Sequence, residues 1–150
     1  MYFHLLLTHS WTRWLIIISA GMVLFFAIRG MTRKTQFGKY DNISGALLIG
    51  CLHLQLLLGL ILYIFYSPFT HRALQNMGAA MKEQSLRYWG VEHIFGMMVA
   101  IILAQIGRTK TKKTANDRKK HKTAFWYTLI SILIILGTVY FAHRPWFRFT

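Results

Sequence analysis

NISGALLIGCLHLQLLLGLILYIFYSPFT, residues 42–70, contains no Asp, Glu, Lys or Arg. An apolar run of about 20 residues crosses a ~30 Å hydrocarbon core at 1.5 Å per residue. Within such a run only a helix satisfies every backbone N–H and C=O internally. One transmembrane helix is therefore expected here, and it carries His53 at its middle. Three further apolar runs share its length, so the four spans are about 5–28, 43–66, 88–107 and 123–142. The 150-residue chain is 55% hydrophobic with mean hydropathy +0.38, outside the range of an ordinary soluble domain. The sequence reads as a single all-α domain over 1–150, a polytopic four-helix membrane bundle.

The net charge of +14 is unevenly placed. The connection after span 1 holds Arg29, Arg33, Lys34 and Lys39. The connection after span 3, RTKTKKTANDRKKHK (108–122), holds eight Lys or Arg against Asp117. The connection after span 2, 67–87, holds Arg72, Lys82 and Arg87 against Glu83. The positive-inside rule puts the first and third connections in the cytoplasm and both termini on the periplasmic side of a bacterial inner membrane. Basic runs placed this way set topology and attract anionic lipid. They also offer a docking surface to an acidic partner. No aromatic or groove-reading module accompanies them, which argues against nucleic acid. MYFHLLLTHSW lacks the basic start and the small-residue site of a cleavable signal. Cys51 is the single cysteine, which excludes an internal disulfide and CxxCH attachment of haem. Aromatics such as Trp11, Trp14, Tyr88, Trp89 and Trp146 gather toward the expected outer boundary, where they anchor helix ends.

Four of the seven histidines fall one per span: His9, His53, His93 and His143. Counted from the basic ends at ~1.5 Å per residue, His53 and His93 stand about 18 Å and 22 Å up, and His9 and His143 about 30 Å and 31 Å. Two tiers are expected. The inner pair meets the needs of a b-type haem, two imidazoles from facing helices with nitrogens about 4 Å apart, twice a ~2 Å bond. Ala46 and Gly50 share a face with His53, and Gly90 and Ala100 with His93. Small residues there leave room for a macrocycle, and equally let helices pack without one. The alternatives for the pair are proton or quinone chemistry without haem, and hydrogen bonding to each other, Gln55 or Glu92. Ionisable groups in lipid are costly, which makes them functional candidates.

Arg13 shares a helical face with His9. It either snorkels to headgroups or meets an anion such as a haem propionate. Glu92 lies about 100° round the helix from His93, suited to accept a quinol proton or to bond a neighbouring helix. The expected cofactor-binding set is His53, His93, Arg13, His9, His143 and Glu92, with His53 and His93 as metal ligands, haem b as cofactor and quinol as a second ligand.

These residues also carry a resemblance. HSxxRW (His9–Trp14), HLQLLLGLILY (His53–Tyr63), RYWGVEHIFGMM (Arg87–Met98), IGR (Ile106–Arg108) and a closing Pro145–Trp146 resemble a family of small four-helix membrane proteins of Bacteroidota labelled cytochrome b-like. The resemblance covers nearly the whole chain and implies haem. More distantly the chain is similar to the four-helix haem modules of cytochrome b561 and haem A synthase. Haem A synthase separates its Glu from its His by two residues, whereas Glu92 directly precedes His93, so that role does not carry over. Three function classes remain open. The first is an electron-transfer cytochrome exchanging electrons with quinol or a larger respiratory complex. The second is a structural accessory subunit of such a complex. The third is an enzyme or transporter of a lipophilic substrate, which the missing nucleophile–base motif disfavours. Expected partners are the lipid bilayer and other membrane subunits or further copies of the chain.

Overall fold

A computed structural model describes residues 1–142. His143, one of the expected upper-tier residues, lies outside them, as does Pro145–Trp146. Four helices are long and apolar enough to cross a membrane, and the described chain contains no strand. The protein is an all-α, multi-pass membrane four-helix bundle. Its helices are α1 (Tyr2–Arg33), α2 (Lys39–Ile61), α3 (Pro68–Gln75), α4 (Met77–Ala80), α5 (Gln84–Arg87), α6 (His93–Lys113) and α7 (Asp117–Phe141). Two π-helical turns complete the spans: Leu62–Tyr66 extends α2 and Tyr88–Glu92 leads into α6.

The helix ends follow local chemistry. α1 stops where Lys34 turns left-handed, at φ 51°. Asp41 accepts from the Gly38 N–H at 2.9 Å and closes the start of α2. Ser67 accepts from the Thr70 N–H, with Pro68 at the first position of α3, where its missing N–H costs nothing. Asn116 accepts from the Lys119 N–H at 3.0 Å and starts α7. The lysine-rich segment after span 3 is therefore mostly helix, leaving only residues 114–116 as connection. Lys110, Lys112 and Lys113 sit in the last turn of α6, the favourable end of its dipole.

The spans form a ring. α1 packs on α2 and α7, and α6 packs on α7, whereas α2 and α6 meet only loosely. The centre holds Ile16, Ala20, Leu48, Leu52, Ala100, Ile101, Ala104, Ile132 and Ile135. Small residues recur where helices approach: Ser19, Ser44 and Ser131 are buried with them. With no hydrophobic drive between helices in lipid, close approach and hydrogen bonds supply the association. Gly107 allows one such approach, since a Cβ there would collide with the Tyr127 ring. Bulky residues point outward; Phe25 is 64% and Phe95 70% exposed, the pattern of a surface solvated by acyl chains.

The expected connection 67–87 is not a plain loop. It folds into α3, α4 and α5, which bury Thr70, Ala73 and Ala80 and cover one end of the bundle. The opposite end carries the connections 34–38 and 114–116 and most of the cations, and is called the basic end below.

Candidate functional site

A cleft of about 1470 Å³, its open mouth included, lies at the covered end. It is walled by α1, α2, α6 and α7 and by Phe69 and Thr70 of α3. Its lining is mainly apolar, with Ile16, Leu52, Leu56, Met97, Ile101 and Ile135. Its polar residues include His9, Arg13, Gln55, Tyr63, Tyr88 and His93.

Several of these polar groups are held by the fold. The Gln55 amide donates to the His9 carbonyl at 2.8 Å, and Thr12 donates to the Gln55 side-chain oxygen. Gln55 thus pins α2 to the turn of α1 that carries His9 and Arg13. Tyr63 donates to the Gly90 carbonyl at 2.7 Å, joining the two π-helical turns. Such turns often mark functional sites. Here they set the positions of Tyr63, Tyr88 and Trp89 beside the cleft. Tyr88 donates to the Thr138 carbonyl of α7, and its oxygen stands 3.5 Å from His93 Nδ1. The Trp89 and His93 rings lie 5.3 Å apart.

His9 and His93 line the same cleft from α1 and α6. Arg13 lies on the same wall as His9. His9 Nδ1 is buried without a hydrogen-bond partner among the described residues. It packs against Gly59 of α2, where a Cβ would stand 3.7 Å from Nδ1 and 3.2 Å from Cε1.

The expected tiers map differently onto the fold. His53 is exposed and does not line the cleft. It follows the buried Leu52 by one residue, a rotation of about 100° that carries it off the bundle-facing side of α2. His53 and His93 are therefore not brought to one cavity. His9 and His93, assigned to different tiers by height, share one because the cleft runs from Tyr2 to Ile16 along α1, about 21 Å at 1.5 Å per residue. Glu92 faces outward, its carboxylate 2.7 Å from Arg87 Nε in an exposed pair, and is not part of the lining. Gln55, Tyr63 and Tyr88 are the site residues that sequence reasoning did not include. Gln55, three residues after Leu52, was the legible one, since a polar residue on the bundle-facing side of a charge-free span needs a partner.

No group of three or more His, Cys, Asp or Glu suited to a metal ion occurs among the described residues. A pair of imidazoles is the donor set on offer, which suits a macrocycle that supplies four ligands itself. Compared with known protein families, curated proteins and solved structures, the chain matches none.

Proposed function

We propose that this protein is a membrane electron carrier that holds one b-type haem in the covered-end cleft, with His9 and His93 as the axial pair. The observation that carries the reading is the convergence of these two imidazoles, from different spans, on one large apolar cleft. The buried, partnerless Nδ1 of His9 supports it, because an orphaned polar atom is costly in a hydrogen-bonded interior. When bound, the haem supplies a one-electron couple. The chain's own residues do the rest. His9 and His93 hold the group from α1 and α6 as neutral imidazoles. Arg13 is the cation for a propionate. Tyr88, beside His93 Nδ1, orients that ring, as outer-shell partners of ligating histidines do. Ile16, Leu52, Ile101 and Ile135 keep water out. The electron partner is quinol or a larger complex of the bacterial cytoplasmic membrane, with the basic end in the cytoplasm.

Reduced-minus-oxidised spectra of protein expressed with ample haem test the reading. Wild type should show a b-type α-band. His9→Ala and His93→Ala should each abolish or convert it, and His53→Ala should keep it. Loss in His53→Ala with retention in His9→Ala would return the pair to His53 and His93. Absence of haem from wild type ends the reading and leaves the accessory-subunit role in its place.

A further inference from the structure

A second, narrower pocket, open on one side, lies at the basic end and is lined by all four spans. Val23, Ala27, Leu48 and Ile49 form its apolar wall, and Arg108 supplies its cation. Arg108 crosses from α6 over Gly45 of α2. A Cβ at Gly45 would stand 3.0 Å from Nη1, so the missing side chain is what admits the guanidinium. Its two terminal nitrogens reach only neutral oxygens, Asn42 Oδ1 at 3.4 Å and the Asn42 carbonyl at 3.1 Å. Among the described residues no carboxylate stands within ion-pair distance of it. Asp41 also borders the cavity. Its carboxylate is engaged elsewhere, accepting from the Gly38 N–H and facing His121 Nδ1 at 3.5 Å. Lys110, two residues later and so on the far side of α6, is folded onto Tyr127, donating to its hydroxyl at 2.8 Å.

A partly desolvated guanidinium without an acid partner calls for an anion. Its position decides which. Arg108 reaches from α6 to Asn42 and Gly45 of α2, at the loosely packed seam of the ring. It sits where the charge-free stretch 42–70 meets the basic connections, the place the positive-inside rule gives to headgroups, and Ile49, partly exposed, lies one turn further into the span. Basic pockets between transmembrane helices are recognised sites for anionic headgroups.

We infer that the seam between α2 and α6 at the basic end binds one anionic phospholipid, its phosphate on Arg108 and one acyl chain against Ile49. The site is separate from the haem cleft and stands or falls independently of it.

Native mass spectrometry of the purified full chain, with phosphatidylglycerol or phosphatidylcholine added in detergent, reads the site directly. Wild type should retain phosphatidylglycerol over phosphatidylcholine by about fivefold, the worth of one interfacial cation. Arg108→Gln, checked for unchanged helical content, should lose that preference. The double variant K112Q/K113Q removes nearby charge without touching the cavity and should keep it. A wild type without preference overturns the proposal whether or not Arg108→Gln folds. So does a folded Arg108→Gln that keeps the preference, or loss of it in K112Q/K113Q. Displacement of phosphatidylglycerol by millimolar inorganic phosphate also overturns it, because the ligand is then a free anion.

Discussion

At the scale of single residues, burial separates histidines that the sequence lists alike. His121 stands within the basic run 108–122, yet it is 1% exposed. It is wedged between Gly30 of α1, the Phe37 ring at 5.1 Å, Asp41 and the Thr35 carbonyl at 3.2 Å from Nε2. A Cβ on Gly30 would overlap its ring. Gly30→Ala should therefore destabilise the bundle by roughly 1–3 kcal/mol, the usual cost of overpacking. His121→Ala removes the obstacle, so the double variant should lose less than the sum of the two singles. Thermal unfolding in detergent, followed by circular dichroism, measures both. Additive losses would mean that the two residues do not meet. Glu92, the residue with the strongest sequence claim to a proton role, spends its charge on exposed Arg87, a pair of small worth.

Among elements, the two π-helical turns matter most. Nothing in the composition of LYIFY or YWGVE distinguishes them from ordinary α-helix. They lie beneath α3, with Gly90 against Ala73, where a Cβ would stand 2.7 Å away. Tyr63 ties one turn to the other through the Gly90 carbonyl. Tyr63→Phe deletes that bond and leaves the ring. A loss of about 0.5–1.5 kcal/mol is expected, together with faster hydrogen exchange confined to residues 62–66 and 88–92. Exchange that rises evenly along α2 and α6, or not at all, would show that the bond does not hold the turns.

For the molecule as a whole, two ends of different chemistry define an orientation. Lys112 closes α6 at the basic end, and Gln75 closes α3 at the covered end. With Cys51 replaced by Ala, a cysteine at position 75 should react with an impermeant maleimide on intact cells. A cysteine at position 112 should react only after the membrane is opened. The reverse pattern would invert the topology drawn from the positive-inside rule. The same asymmetry separates the two cavities, one near the aromatic boundary and one among the cations.

Four spans, their approximate limits and the clustering of charge at one end were legible in the sequence, because hydropathy and charge act residue by residue along the chain and need no partner. That His9, Arg13 and His93 are ionisable exceptions within apolar spans was legible too, since such groups stand out against a lipid-soluble background, although the heights put His9 with His143 and His93 with His53. Which of them meet was not. Height along a helix follows from counting, but the side on which a residue lies depends on how the helix is rotated against its neighbours, and at about 100° per residue an error of one position moves a side chain from cavity to lipid. His53 and Leu52 differ by that one step. The rotation is set by close contacts at Ala20, Ala100, Ala104 and Gly107 and by bonds such as Gln55 to the His9 carbonyl. These exist only once α1, α2, α6 and α7 have packed, so the placing of His9 and His93 on one cleft and the loose seam between α2 and α6 belong to the tertiary structure alone.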